Sequence, residues 1–113
     1  MLPKENRLRH EKDIQALFAN GKGVFGIYLS LKFKKNNLSD SRFAMVAGVK
    51  VSKKAVVRNR LKRQVRAIVH THLESIARGF DVAILIRKEA VGKNSEEFEK
   101  DLLKMLKKAK LLS

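Results

Sequence analysis

At 113 residues and 12.9 kDa the chain has room for one domain, residues 1–113, burying about two-thirds of its unfolded surface in a core. It contains no cysteine, which excludes disulfides, thiolate metal sites and cysteine nucleophiles, and no apolar run approaches the ~18 residues of a membrane span, so a cytoplasmic protein held by packing alone is expected. Against 11 Asp and Glu stand 26 Lys and Arg, a net charge of +15 that a polyanionic partner would neutralise.

In chain order, Glu11 to Asn20 places Ile14, Leu17 and Phe18 at i, i+3 and i+4, with Gly21 at the stop, and predicts a short amphipathic helix. From Val24 to Lys34 the pattern alternates. Ile27, Leu29, Leu31 and Phe33 fall on one parity, Tyr28, Ser30, Lys32 and Lys34 on the other, as in a half-buried strand. After a turn-forming stretch, Lys35 to Ser41, a second strand is expected from about Arg42 to Val51, paired with the first as an antiparallel hairpin and interrupted or bulged at Gly48. Ser52 is the expected N-cap of a long helix reaching to about Ala77, whose dry side carries Leu61, Val65, Ile68, Val69, His72 and Ile76. Phe80 to Ile86 is a nearly continuous apolar run, suited to a strand covered on both faces. Asn94, with Glu97 three residues on, resembles a capping box that opens a last helix lined by Phe98, Leu102, Met105, Leu106 and Ala109. The order helix, strand, strand, long helix, strand, helix predicts an α+β sandwich with a small sheet packed against helices.

The charge is localised. From Ser41 to Leu73 there are nine Lys or Arg and no acid. Projected at 100° per residue, Asn59, Lys62, Arg63 and Arg66 fall within about 100° of one another, with Arg58 at the seam and Arg60 on the far flank. Lys50, Lys53 and Lys54 extend the stripe back through the preceding turn. Like charges at i, i+4 repel by a few tenths of a kcal/mol per pair, which regularly spaced phosphates would relieve. Arginine's planar fork suits bidentate phosphate contact, and Arg outnumbers Lys four to one between Arg58 and Arg66.

Catalytic constellations are absent from the sequence. His70 and His72 stand about 200° apart on a helix and cannot chelate one metal, so His72 reads as a boundary residue and His70 as solvated or RNA-facing. Glu96, Glu97, Glu99 and Asp101 cluster where capping and the helix dipole explain them. Neither a phosphate-cradling glycine loop nor a nucleophile motif occurs. Most of the six Phe are expected in the core, whereas Tyr28, among lysines on the polar parity, is a candidate for stacking single-stranded RNA.

The string from Lys53 to Arg66 resembles the signature of the bacterial ribonuclease P protein subunit, matching its A-x-x-R-N-R-x-K-R-x-x-R helix motif at every fixed position. Asn6-Arg7-Leu8 is similar to that family's N-terminal stretch, and Phe80-Asp81-Val82 to its last strand. The resemblance implies a two-layer sandwich of order α-β-β(-β)-α-β-α, with a mixed sheet and a left-handed βαβ crossover. It implies a subunit that binds a catalytic RNA and the single-stranded 5′ leader of precursor tRNA, promoting endonucleolytic removal of the leader. The RNA would hold the magnesium ions and do the chemistry, so no protein side chain is assigned a catalytic role, no cofactor is expected on the protein, and neither a membrane nor an obligate protein partner is implied. Carried onto this chain, the RNA-subunit contacts are Lys53, Lys54, Arg58, Asn59, Arg60, Lys62, Arg63 and Arg66, and the leader contacts Ile14, Phe18 and Tyr28. Here Ser52-Lys53-Lys54 runs straight into Ala55, without the glycine turn many members have, so either Lys50 or the Lys53-Lys54 pair takes the usual place. The alternative is a structural RNA-binding protein, such as a ribosomal component, with the same basic helix and no leader cleft.

Overall fold

The computed structural model describes residues 2–112. Helix α1 spans Glu11–Asn20, β1 Lys22–Phe25, β2 Leu29–Lys35, β3 Arg42–Val46, α2 Ala55–His72, β4 Phe80–Ile86 and α3 Ser95–Lys108. One four-stranded sheet has the order β1-β2-β4-β3, with β1–β2 and β2–β4 antiparallel and β3–β4 parallel. The expected hairpin between the two central segments does not form. Strand β4 inserts between β2 and β3, and β2 instead turns back on β1. The parallel β3–α2–β4 unit makes α2 the crossover between neighbouring strands.

The strand expected over Val24 to Lys34 is broken at Gly26-Ile27-Tyr28 by a carboxylate from α3. Asp101 accepts hydrogen bonds from the backbone N–H of Ile27 at 3.0 Å, Tyr28 at 2.8 Å and Leu29 at 3.0 Å. Gly26 is required there, because a Cβ would lie 2.6 Å from either Asp101 oxygen. The second strand ends at Val46 rather than Val51, where a turn closes from Val51 N–H to the Gly48 carbonyl at 3.0 Å.

Helix α2 is shorter at both ends than its pattern suggests. Its N-cap is Lys54, and the Ser52 hydroxyl, two residues before it, instead accepts from the N–H of Lys54 itself at 3.2 Å. After His72 the chain tightens into a 3-10 turn, and Ile76 leaves the helix to bridge Leu112, burying itself there. Gly79, at φ +86°, then redirects the chain into β4 through a conformation that side chains with a Cβ rarely adopt. Helices α1 and α3 lie where the periodicity puts them, and the Asn94 side chain accepts from Glu97 N–H at 3.0 Å.

The core explains why β4 is apolar throughout. Val82, Ile84 and Ile86 face α2 and α3 together with Leu29, Leu31, Phe43, Leu61, Val65, Val69, Phe98 and Leu102. Ala83 faces the other way and joins Leu8 and Leu17, with Ile14, Phe18, Ala44 and Leu85 packed around them. The α2–α3 layer and the sheet form the expected sandwich, and α1 adds a partial third layer on the opposite face. Cross-strand partners show how partial. The rows Lys34–Asp81–Arg42 and Gly23–Lys32–Ala83–Ala44 share the α1 side with a third row, Phe25–Ser30–Leu85–Val46, which runs across all four strands. This last row is the farthest from the Arg42–Asp13 end of α1.

Candidate nucleic-acid interface

The dry side of α2 fixes the direction of its charged side. Leu61, Val65, Ile68 and Val69 are buried against the sheet and α3, so the residues between them must point out. Lys53, Lys54, Asn59, Arg60 and Arg63 are exposed, while Arg58, Lys62 and Arg66 are half-buried. Arg58 is tied at the helix entry, where its Nη1 donates to the Ser52 carbonyl at 2.8 Å.

No ion pair among the described residues masks this stripe. Among the described residues the ion pairs are Arg42–Asp13 at 3.4 Å, Arg42–Asp81 at 2.7 Å, His72–Glu99 at 2.8 Å and Arg87–Glu89 at 3.6 Å. No cation from Lys50 to Arg66 takes part. Arg42 is the exception within the acid-free stretch: Asp81 grips it through both Nε, at 2.8 Å, and Nη2, and this contact above all raises its pKa further. It is a structural residue.

The two flanks of α2 lead to different places. On one, Arg66 joins Arg7, Arg9, Ile14, Ala44 and Val46 in lining a cleft of about 390 Å³ between the N-terminal segment, α1 and β3. On the other, Arg60 and Arg63 border a groove against α3, where Gln64 Nε2 donates to Ser95 Oγ at 3.3 Å. The basic stripe therefore runs continuously into the cleft at the edge of α1.

Of the three residues assigned to leader contact, Ile14 and Phe18 lie together on the α1 side. Tyr28 does not join them. It packs on the opposite side of the sheet, edge-to-face with Phe98 at 6.1 Å, and its hydroxyl donates to Glu97 Oε2 at 2.7 Å. That hydrogen bond raises the Tyr28 pKa, because ionising the phenol would set two anions together. The alternating pattern misplaced Tyr28 because Asp101 breaks the strand just before β2, so its parity is not inherited from the residues that follow.

Sequence reasoning also missed Phe25, which is 82% exposed at the end of β1, on the same row as Ser30, Leu85 and Val46. Its signal was available: a strand of four residues flanked by glycines offers little to pack on. Arg7 and Arg9, on the cleft wall, were legible only as part of an N-terminal stretch. The histidines fall as expected, His72 half-buried against Glu99 and His70 exposed. The acids of α3 do more than complement a dipole, since Glu97, Glu99 and Asp101 each hold a partner from another element. Among the described residues, no group of three His, Asp or Glu side chains is disposed to hold a metal ion, and no helix is long and apolar enough to cross a membrane.

Comparison with known proteins agrees with this geometry. Residues 2–110 match the family model described as Ribonuclease P. The ribonuclease P protein component of Microcystis aeruginosa is 43% identical over 98% of this chain and 96% of its own length. That of Pseudanabaena is 41% identical over 99% and 97%. The solved ribonuclease P protein of Thermotoga maritima superposes with a TM-score of 0.82 at 33% identity, covering 90% of this chain and 96% of that one. A Staphylococcus aureus ribonuclease P protein, at 24% identity and a TM-score of 0.88 over 96% of this chain and 92% of its own, shares the fold. With an acid-free basic helix, a mixed sheet and full-length relatives all in agreement, this chain belongs to the ribonuclease P protein family.

Proposed function

We propose that this chain, as the protein subunit of the tRNA-processing ribonucleoprotein endoribonuclease, grips the catalytic RNA with α2 and guides the 5′ leader of precursor tRNA along the α1 side of its sheet. The observation that carries the reading is the unpaired stripe: Arg58, Arg60, Lys62, Arg63 and Arg66 stand on one rigid helix, Lys53 and Lys54 lead into it, and none of the ion pairs among the described residues involves them. Asn59, exposed among them, adds a neutral donor and acceptor suited to a ribose or base edge. Such a stripe binds phosphate by releasing counterions, so affinity falls steeply with salt. The cleft where Arg66 meets Arg7, Arg9 and Ile14 joins cations to an apolar floor, the combination that tracks a single strand by its backbone and seats its bases. Phe18 packs against the same cluster of Leu8, Leu17 and Ala83 as Ile14, on the α1 side of the sheet.

In this reading the protein supplies no acid, base or metal ligand. It screens repulsion between two RNAs and holds the leader, while the catalytic RNA retains the magnesium ions and the hydrolytic step, in the cytoplasm where precursor tRNA is made. The test is cleavage of a leader-bearing precursor by the partner RNA at low magnesium, with and without the protein. Faster cleavage and tighter binding of leader-bearing over leaderless substrate are expected. Equal behaviour of the two substrates would favour a purely structural RNA-binding role, as in a ribosomal component. Family membership lends that alternative no support.

A further inference from the structure

Five of the six phenylalanines are buried or half-buried, and the sixth, Phe25, is 82% exposed. Two residues on, Ile27 is 65% exposed. Apolar rings leave water when they have somewhere to go, and a ring on a loose tip would fold back onto the sheet. This tip is not loose. Besides the three N–H groups that Asp101 accepts, Gly26 N–H donates to the Leu29 carbonyl at 2.9 Å, and Arg87 Nη1 donates to the Gly26 carbonyl at 2.8 Å. Arg87 N–H donates to the Tyr28 carbonyl at 2.9 Å, and the Tyr28 hydroxyl is fixed on Glu97. The backbone next to Phe25 is thus clamped from α3 and from the end of β4, and the ring is held out as on a pedestal.

The surroundings of the ring fit one class of occupant. On the α1 side, Phe25 shares a row with Ser30, Leu85 and Val46, and Lys32 stands in the next row inward, where its Nζ donates to the Phe18 carbonyl at 3.4 Å. Arg87 anchors at the adjacent carbonyl, its guanidinium partly exposed and facing Glu89 only at 3.6 Å. The other acids near the loop, Asp101 and Glu97, are consumed by hydrogen bonds to it. An exposed ring beside the Arg87 guanidinium, on a row whose far member, Val46, lines the Arg66 cleft, suits an unpaired nucleotide: base on the ring, a flanking phosphate on Arg87.

We propose that Phe25 is an additional base-stacking platform for single-stranded RNA, extending the leader track from the Ile14 cleft across the open row of the sheet to β1, with Asp101 as the residue that positions it. This rests on the leader-binding reading above. Three strand spacings of ~4.8 Å separate Phe25 from Val46, roughly 14 Å, so the platform would serve nucleotides beyond those seated in the cleft.

The experiment uses the holoenzyme assembled from this protein and its catalytic RNA, and measures Kd for precursor tRNAs of increasing leader length and for leaderless tRNA. F25A is expected to weaken binding of long-leader substrates about tenfold, within the range of a lost base stack, while leaving leaderless tRNA and affinity for the catalytic RNA unchanged. F25W is expected to retain wild-type affinity. D101N is expected to lower the same leader-dependent affinity with the far-UV spectrum unchanged, and adding F25W to it should not restore binding. If F25A matches wild type at every leader length while wild type still prefers long leaders, the proposal falls and the cleft reading stands. If wild type itself does not distinguish leader-bearing from leaderless tRNA, both fall. Loss of self-association in F25A by sedimentation, with leader affinity intact, would assign the ring to contact between copies of this chain and overturn the proposal.

Discussion

Arg42 and Arg60 lie in the same acid-free third of the sequence and have opposite fates. Arg42 is drawn inward, with Asp81 holding it at two nitrogens and Asp13 at a third. Arg60 and Arg63 form no ion pair among the described residues, and Glu99, which lines the same groove, is paired with His72. The partners of Arg42 come from α1 and β4, 29 and 39 residues away in the chain, so no local count of charge could separate the two. What separates them is whether the fold brings an acid. A cation that folding neutralises belongs to stability, and one that folding leaves bare is available to another polyelectrolyte.

The largest effect that tests this division is Asp81→Ala. It strands a half-buried guanidinium and frees the Asn36 amide that donates to Asp81 at 3.0 Å, so stability should drop by about 3 kcal/mol in urea unfolding, near the lower bound for breaking a buried pair. Affinity of the folded protein for RNA should hardly change. Arg60→Ala and Arg63→Ala should do the reverse. Each is expected to weaken binding to the catalytic RNA by roughly 1–2 kcal/mol and to flatten the salt slope by about one unit, with stability within about 0.5 kcal/mol of wild type. Unaltered affinity of both variants at moderate salt would break the comparison. Asn94→Ala, which removes the acceptor for Glu97 N–H, should cost about 1 kcal/mol of stability by thermal or urea unfolding and nothing in RNA affinity.

The smallest effect is one of pH. The Tyr28 phenol is held above its ordinary 10.0, chiefly by its hydrogen bond to Glu97. Its contribution is therefore complete below the unfolded-state value and is lost as pH rises toward the higher folded value, where the unfolded phenol ionises first. Urea midpoints of wild type should decline through that alkaline interval, and those of Tyr28→Phe should decline less.

The parts legible in the sequence are those governed by local periodicity and local chemistry. Helix α1 with its Gly21 stop, the apolar β4 run, the Asn94 cap and the wet and dry sides of α2 depend on neighbours within a few residues, and they stand as read. What escaped depends on distant partners. The β2–β4 and β3–β4 pairings replaced an adjacent hairpin that alternation favoured equally well. Asp101 broke a strand more than seventy residues upstream, which turned Tyr28 toward α3 and left Phe25 outside the core. The end of α2 at His72 likewise reflects the Ile76–Leu112 bridge and the Ala77 N–H bonded to the Leu111 carbonyl at 2.8 Å, an arrangement the helical spacing of Ile76 conceals.

The strand order has a consequence for biogenesis. The ribosome delivers β2 and β3 well before β4, so two strand edges that end up hydrogen-bonded to one central neighbour wait unfilled while α2 is still being made. Closure needs pairings as remote as Leu29 with Ile86, which makes assembly of the sheet slow compared with a meander of the same size. During that wait the nascent polypeptide exposes template edges of the kind that recruit other chains. A release point upstream of Phe80 would leave the basic rod attached to a sheet that has no middle.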